Sequence, residues 1–392
     1  MLVVVIGFLG WRFIRPMNIF VVSEAFEKPI NTSIIPPPLE TLHAEACAAC
    51  HREIYDEWRT TIHSQAWTDP YFQVDWKFDG YPQICKNCHI PLDRQQEHLV
   101  VGFRDKEKWQ PILDPNPDFD PKLQREGVTC AVCHLREGEI LGTRGSQSAA
   151  HPVRKLSDGN QVCAQCHVVG GERWDTFWRF PPCGTVAEIK AVQAGEVKGR
   201  VGKTVVADNA SLGCVECHMP VVERPVAVGG QPRATRKHVW RGGHDPAMVK
   251  QGLAIRFEET STNTIDKRSF TLTLTNVGAT HYLPTGTPDR HLTVLDSAGG
   301  VLKDKHDTLK RTVMWRPFIV DLWDTRLPPN KPRIYKIDVG VAGKPAFVEA
   351  KVRYHLLEER RRRRIGYENT EPIAYEVFKH RIALEASIKK EE

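Results

Sequence analysis

The sequence has no apolar run long enough for a standard membrane span of roughly 20 residues. Its longest, residues 2–11 (LVVVIGFLGW), is about half that. The basic n-region of an export signal is missing before this run, although Arg12 and Arg15 follow it. A dominant charge of one sign is also missing, since 54 Lys and Arg stand against 48 Asp and Glu, a formal net charge of +6. The one local charge run, Arg360–Arg364 after Glu358 and Glu359, reads as a solvated strand end or loop, or as a dock for a membrane or an acidic partner. Lone cysteines are almost absent: ten of the 11 fall in Cys-x-x-Cys pairs. Only Cys183, in Pro181-Pro182-Cys183-Gly184, is left over, and it reads as a buried thiol in a turn. Three common roles of paired cysteines do not fit. A disulfide framework belongs to short secreted domains, thioredoxin-like chemistry needs one pair, and a zinc ribbon does not place His after every second Cys.

What is present is Cys-x-x-Cys-His, five times: Cys47–His51, Cys85–His89, Cys130–His134, Cys163–His167 and Cys214–His218. Each copy reads as a c-type haem attachment site. The thiol pairs Cys47/Cys50, Cys85/Cys88, Cys130/Cys133, Cys163/Cys166 and Cys214/Cys217 would bind the two vinyl groups of a haem as thioethers. His51, His89, His134, His167 and His218 would reach the irons as proximal ligands. Five covalently attached haem c are therefore expected. Their ten propionates and ferric irons take the formal +6 to about +1 oxidised and about −4 reduced. No argument for a nucleic-acid partner survives that correction.

Covalent haem attachment takes place outside the cytoplasm, so the chain is expected to be exported to the periplasmic or extracellular side. Residues 1–39 read as an apolar N-terminal anchor or signal followed by a linker ending in Pro36-Pro37-Pro38. Ser23-Glu24-Ala25 is a poor cleavage site, which favours an uncleaved membrane anchor. Residues 40–249 read as a pentahaem cytochrome c module of short helices and loops wrapped around cofactors. The motif spacings of 38, 45, 33 and 51 residues are too irregular for a repeat array. Residues 250–392 change character: Phe270, Leu272 and Leu274 alternate with Thr271, Thr273 and Thr275, and Val348, Ala350, Val352 and Tyr354 alternate with Glu349, Lys351 and Arg353. This period of two predicts an all-β, immunoglobulin-like sandwich.

The sixth position of each iron separates electron carriers from enzymes. Of 16 histidines, eleven are not motif histidines, and context favours five as distal ligands. His63 lies twelve residues after His51, so on a continuous helix it would serve a different haem. His238 and His244 flank Gly242-Gly243 just after the last motif and suit two different irons. His151 precedes Pro152, which fixes an extended backbone. His281 opens a loop between two strands and would pin the two domains together. His43 stays open between ligand and bystander, while His98, His291, His306, His355 and His380 read as exposed or core residues.

The chain resembles a family of bacterial multihaem cytochromes related to cytochrome c-554. The resemblance is carried by Cys47-Ala-Ala-Cys-His51 with Tyr55, Trp58 and His63, and by Cys85-Lys-Asn-Cys-His-Ile-Pro-Leu92 with Gln95-Gln96. It continues through Glu126-Gly-Val-Thr-Cys-Ala-Val-Cys-His134, His151-Pro152, Cys214-Val-Glu-Cys-His-Met-Pro220 and His238…His244-Asp245, into Asn276-Val-Gly-Ala-Thr-His281 and Pro284-Thr-Gly286. It implies bis-His low-spin haems in stacked pairs, acting in periplasmic electron transfer with redox partner proteins or a membrane quinone-linked complex. Two alternatives remain: a reductase or oxidase of a small nitrogen or sulfur compound with one open haem, and a subunit of a larger complex or polymer. The Cys-x-x-Cys-Lys site of pentahaem nitrite reductases does not occur here.

Overall fold

The computed structural model of the chain describes residues 2–14, 28–104, 111–146, 150–167, 184–193, 212–260, 267–299, 301–302, 307–314, 320–340 and 345–384. Cys183 and His306 lie outside the described residues. Two compact units emerge: Met1–Asp175 with Gly202–Arg241 and Ile365–Tyr367, and Thr176–Val201 with Gly242–Arg364 and Glu368–Glu392. The division after Arg241 precedes the compositional change near residue 250. Helix Pro246–Gln251 explains the offset, because its Val249 belongs to the β core although one helical turn has no period-two signature. The apolar start forms helix Leu2–Ile14 of 13 residues. No helix among the described residues is long and apolar enough to cross a membrane, so the expected N-terminal anchor is left without a spanning helix.

In the first unit the motifs sit on short helices: Gln83–His89, Cys130–His134, Asn160–His167 and Cys214–His218, each with the motif His as last residue. The first motif differs, with Cys47 in helix Ala44–Ala48 and His51 at the N-cap of helix Arg52–Trp58. On a helix, residues i, i+3 and i+4 share a face, so both thiols and the imidazole are presented to the same side. Helices Pro70–Phe78 and Pro121–Arg125 start with an Asp-Pro pair. Asp69 accepts from Tyr71 N–H, and Asp120 accepts from Lys122 and Leu123 N–H; the cap satisfies orphan donors and Pro loses none at the first helical position.

Apolar packing in this unit is thin. Leu42, Leu92, Leu123, Ala131, Val132 and Leu135 form its main cluster. Two fully buried glutamines brace it: Gln95 Nε2 donates to the carbonyls of Leu123 and Gly127, and Gln96 Nε2 donates to that of Ile90.

The second unit has a core of its own. One antiparallel sheet runs in the order Val320–Asp324, Asp307–Met314, His291–Ala298, Phe347–His355, Ala374–Ala383, with Val301–Leu302 paired to His291–Ala298. The other runs Arg333–Gly340, Lys267–Asn276, Leu253–Thr260. Phe270, Leu272, Leu274, Ile337 and Val339 of the second sheet share one cluster with Leu292, Val294, Val348, Ala350 and Val352 of the first. The alternation seen in the sequence is therefore the alternation of core and surface on paired strands.

An ion network is buried in the same unit. Arg326 Nη1 lies 2.6 Å from Glu188 of helix Thr185–Gln193, and Arg326 Nη2 lies 2.8 Å from Asp324. Arg326 also donates to the Pro284 carbonyl, while Glu188 accepts from Tyr282 N–H and the Thr285 hydroxyl. Burial works against every charge here, but two carboxylates hold the guanidinium firmly protonated. Removing Arg326 strands two buried carboxylates. Arg326→Ala should lower the stability of the full chain by about 3–5 kcal/mol in urea denaturation; an unchanged transition would mean the network is dispensable.

Candidate haem-binding site

The structure brings three motif histidines against three of the five favoured distal candidates. The ring centroids of His51 and His151 are 6.3 Å apart, those of His134 and His238 are 6.1 Å apart, and those of His167 and His63 are 6.4 Å apart. Two imidazoles that bind one metal from opposite sides, each through a nitrogen at about 2 Å, have centroids roughly 6 Å apart. The spacing fits an iron between each pair.

Hydrogen bonds set the tautomers. The Nδ1 atoms of His51, His134 and His238 lie 2.8, 2.8 and 3.0 Å from the carbonyls of Val226, Leu141 and Arg236. Those of His89 and His218 lie 2.6 Å from the carbonyls of Ala66 and Arg241. A carbonyl can only accept, so each Nδ1 carries the proton and each Nε2 keeps its lone pair for a metal. His151 Nδ1 is buried with no hydrogen-bond partner, the kind of orphaned polar atom that calls for an explanation such as a bound group. Burial also keeps His63, His89, His134 and His238 neutral. It pushes His63, with the nearby His167 and His218 assisting, and His238 and His89 down to about 4, and lowers His134. A neutral imidazole at pH 7 is the form that ligates.

The thiols show which motifs are neighbours. Cys47 hydrogen-bonds Cys130, Cys88 hydrogen-bonds Cys166, and Cys163 hydrogen-bonds Cys214. The first motif thus meets the third, the second meets the fourth, and the fourth meets the fifth. Cys50 and Cys217 break the pattern. The spacing of the motif gives ten equivalent thiols, yet these two are exposed while the other eight are half-buried. The reason is local in each case. Cys50 falls in the turn between helices Ala44–Ala48 and Arg52–Trp58 instead of on a helix face, and Cys217 is carried on a five-residue helix with no buried residue. Neither takes part in the thiol contacts described between motifs, so the first and fifth motifs meet their neighbours through Cys47 and Cys214.

His63 reaches its place by a route other than a continuous helix. Helix Arg52–Trp58 stops because the Thr60 and Thr61 hydroxyls bond the carbonyls of Glu57 and Trp58, competing with the helical ladder. Val128 N–H then donates to the His63 carbonyl at 2.9 Å. This close approach needs Gly127, at φ +59°, where a Cβ would come within 2.8 Å of that carbonyl oxygen.

His238 is clamped by residues that motif reading passes over. Its backbone N–H donates to Glu57 Oε2 at 2.9 Å, and Glu57 accepts both guanidinium nitrogens of Arg224 at 2.7 Å. Burial raises the Glu57 carboxyl, but these bonds outweigh it and hold the group below its ordinary range. Trp240 packs edge-on against both His63 and His238, at 5.0 and 5.3 Å between centroids. In sequence, Glu57 looks like the polar side of a helix and Trp240 like core; the only signal was the density of such residues between His238 and His244.

The other histidines separate. His43 is held by Glu126 at Nδ1 and Asp120 at Nε2, both at 3.0 Å, so carboxylates occupy both nitrogens. His244 and His281 belong to the β unit. His244 Nε2 lies 3.4 Å from Arg290, and His281 Nδ1 donates to the Tyr282 carbonyl. His291 and His355 stack at 4.2 Å on paired strands, and His98 and His380 are exposed. Around His89 the neighbours are aromatic. Phe72 stacks on its face at 3.6 Å, and Trp67, Trp76 and Tyr81 extend the nest. Within the haem module, among its described residues, no second imidazole lies opposite His89.

The family model described as "Cytochrome c554 and c-prime" matches residues 46–110 and 162–239. These segments contain the first, second, fourth and fifth motifs together with His63 and His238; the third motif and His151 fall between them. No curated protein matches the chain. Among solved structures the chain is similar to a penta-heme cytochrome c552 from Thermochromatium tepidum, at 20% identity and a TM-score of 0.61, over 87% of this chain and 98% of that one. At that identity the likeness shows a shared fold. A β-glucosidase from Kluyveromyces marxianus matches at 11% identity and a TM-score of 0.12, over 33% of this chain and 15% of that one, which is too weak to bear on the fold. The family-model match and the shared fold together support a multihaem cytochrome c family for this chain.

Proposed function

We propose that the chain is an exported cytochrome that passes single electrons along five bis-His haems between redox partners, either soluble proteins or a membrane quinone-linked complex. The observation that carries this reading is the set of three imidazole pairs at 6.1–6.4 Å. Bound haem c supplies a one-electron iron couple, and a filled sixth position suppresses chemistry on the iron. The chain's own residues do the rest. Ten motif cysteines would tether the cofactors, with Cys50 and Cys217 forming their thioethers at the protein surface. Carbonyls orient the ligating imidazoles and strengthen them as donors. Burial excludes water and keeps the rings unprotonated. For the irons held by His89 and His218, the remaining candidates are His244 and His281, presented from a unit we read as an immunoglobulin-like sandwich.

A second reading has its own support. The aromatic nest at His89, with no facing imidazole among the described residues of its own module, suits a haem with an open side, as in a reductase or oxidase of a small nitrogen or sulfur compound.

EPR of the oxidised, haem-loaded protein discriminates the two readings. Electron transfer through bis-His haems predicts low-spin signals throughout. A stoichiometric high-spin signal that responds to nitrite or hydroxylamine would favour the enzyme.

His63→Ala, His151→Ala and His238→Ala should each convert one haem to high spin. Any variant that stays fully low-spin removes that residue from the ligand set.

Glu57→Ala leaves the His238 N–H without its acceptor and the Arg224 guanidinium with only the Glu53 carboxylate at 3.5 Å and the Arg236 carbonyl at 3.3 Å. It should cost about 1–3 kcal/mol of stability and add a high-spin fraction at the haem of His134. Glu57 is depressed in the folded state, so its contribution is complete above the ordinary 4.5 and fades as pH falls through the lower folded value. Acid titration of the wild type should therefore loosen His238 in that window, and the Glu57→Ala variant should lack this step.

A further inference from the structure

The arginine run forms helix Glu359–Ile365, in which Arg360, Arg363 and Arg364 are exposed. The five arginines are flanked in sequence by Glu358, Glu359 and Glu368, so the segment carries a net positive charge. Glu359 is shared by Arg362 and Arg363 at 2.7 and 2.9 Å, while Glu358 is taken by Lys310 at 2.9 Å. With ten propionates counted, the net charge of the haem-loaded protein is near zero, so steering must come from a local patch such as this one.

Where the run ends is informative. Ile365 is buried, Gly366 turns the chain at φ +73°, and Ile365–Tyr367 group with the haem module. There the Tyr367 ring packs edge-on against Tyr71 at 5.6 Å. Tyr71 precedes Phe72, which stacks on His89 at 3.6 Å. Tyr71 and Phe72 are adjacent in the chain, so Tyr367 lies near the second haem motif within the haem module.

We propose that Arg360–Arg364 is the docking surface for the acidic face of a redox-partner protein. A membrane would use the helix differently. An interfacial helix needs an apolar face to bury in lipid, and the only apolar side chain of Glu359–Ile365 is already buried in protein. The proposal rests on the electron-transfer reading and adds the class and the place of the partner.

The test uses the full haem-loaded chain and reduced flavodoxin, a strongly acidic one-electron donor, in stopped flow at low ionic strength. The wild-type second-order rate should fall steeply with added salt. Arg360→Glu, Arg363→Glu and Arg364→Glu combined should lower it about tenfold and remove most of the salt dependence, since charges on a docking surface act on the association rate. The neutral set Arg360→Gln, Arg363→Gln and Arg364→Gln should fall between. Reduction by the methyl viologen radical cation, a small and strongly reducing one-electron donor, should not slow in either variant, which separates docking from folding or haem loss. A wild-type rate and salt dependence with flavodoxin in the charge-reversed chain would overturn the proposal. So would a variant that loses only its binding to phosphatidylserine vesicles, which would make the run a membrane dock. A wild-type chain that the methyl viologen radical cation fails to reduce would defeat the electron-transfer reading and the docking proposal together.

Discussion

Two imidazoles must meet across a gap of about 6 Å, and in this chain the members of each pair are roughly 100 residues apart. His51 meets His151, His63 meets His167 and His134 meets His238. Each such pair closes a long loop, and a metal clip across a long loop gains most from the entropy it removes from the unfolded chain. A cross-link over a loop of about 100 residues is worth roughly 5 kcal/mol on that argument. The first unit needs this help, because its main apolar cluster is six buried side chains braced by two glutamines. On the bis-His reading, ligation and folding in this unit would be one process, as in small metal-organised domains.

The same constraint governs the polar residues. A ring that must offer Nε2 has to give its Nδ1 proton away, and five of the relevant histidines give it to backbone carbonyls. Carbonyls need no rotamer to be fixed, so the ligand is oriented by main chain that the thioether bonds themselves would hold. Where a side chain is used instead, it is doubly secured. Glu57 holds the His238 backbone only because Arg224, 7% exposed, pins both carboxylate oxygens. The His238 ring lies against Trp240, which also touches His63, so the distal candidates of the third and fourth motifs share one indole as a wall.

Sequence made the local features legible and hid the long-range ones. Cys-x-x-Cys-His is a single helical turn, so its chemistry can be read from five consecutive residues. Its surroundings cannot: nothing in the motif separates the exposed Cys50 and Cys217 from their eight sheltered counterparts, because exposure depends on what packs over each turn. Asp69-Pro70 and Asp120-Pro121 announce helix starts, and the alternation over residues 270–275 and 348–354 announces strands, for equally local reasons. His63, His151 and His238 stand out by context, but which iron each would face depends on partners about 100 residues away, and no periodicity encodes that. His43 shows the limit from the other side. In sequence it could be a ligand, and only Asp120 and Glu126, brought in from far along the chain, occupy both of its nitrogens. The break before His63 could have been anticipated from Thr60-Thr61, whose hydroxyls compete for helical carbonyls.

The β unit solves a different problem. Its core is continuous across two sheets and contains no motif, so its packing does not wait for a cofactor. Such a unit keeps its surface unchanged whether the irons are oxidised or reduced, whereas the haem module takes up about one negative charge with each electron. A docking surface placed on the module would change its attraction for a partner as the electrons arrived. The arginine run belongs to the β unit up to Arg364, and the chain rejoins the haem module at Ile365–Tyr367, where Tyr367 packs against Tyr71. The division of labour follows from the physics of the two cores: one is organised by its cofactors, the other is indifferent to them.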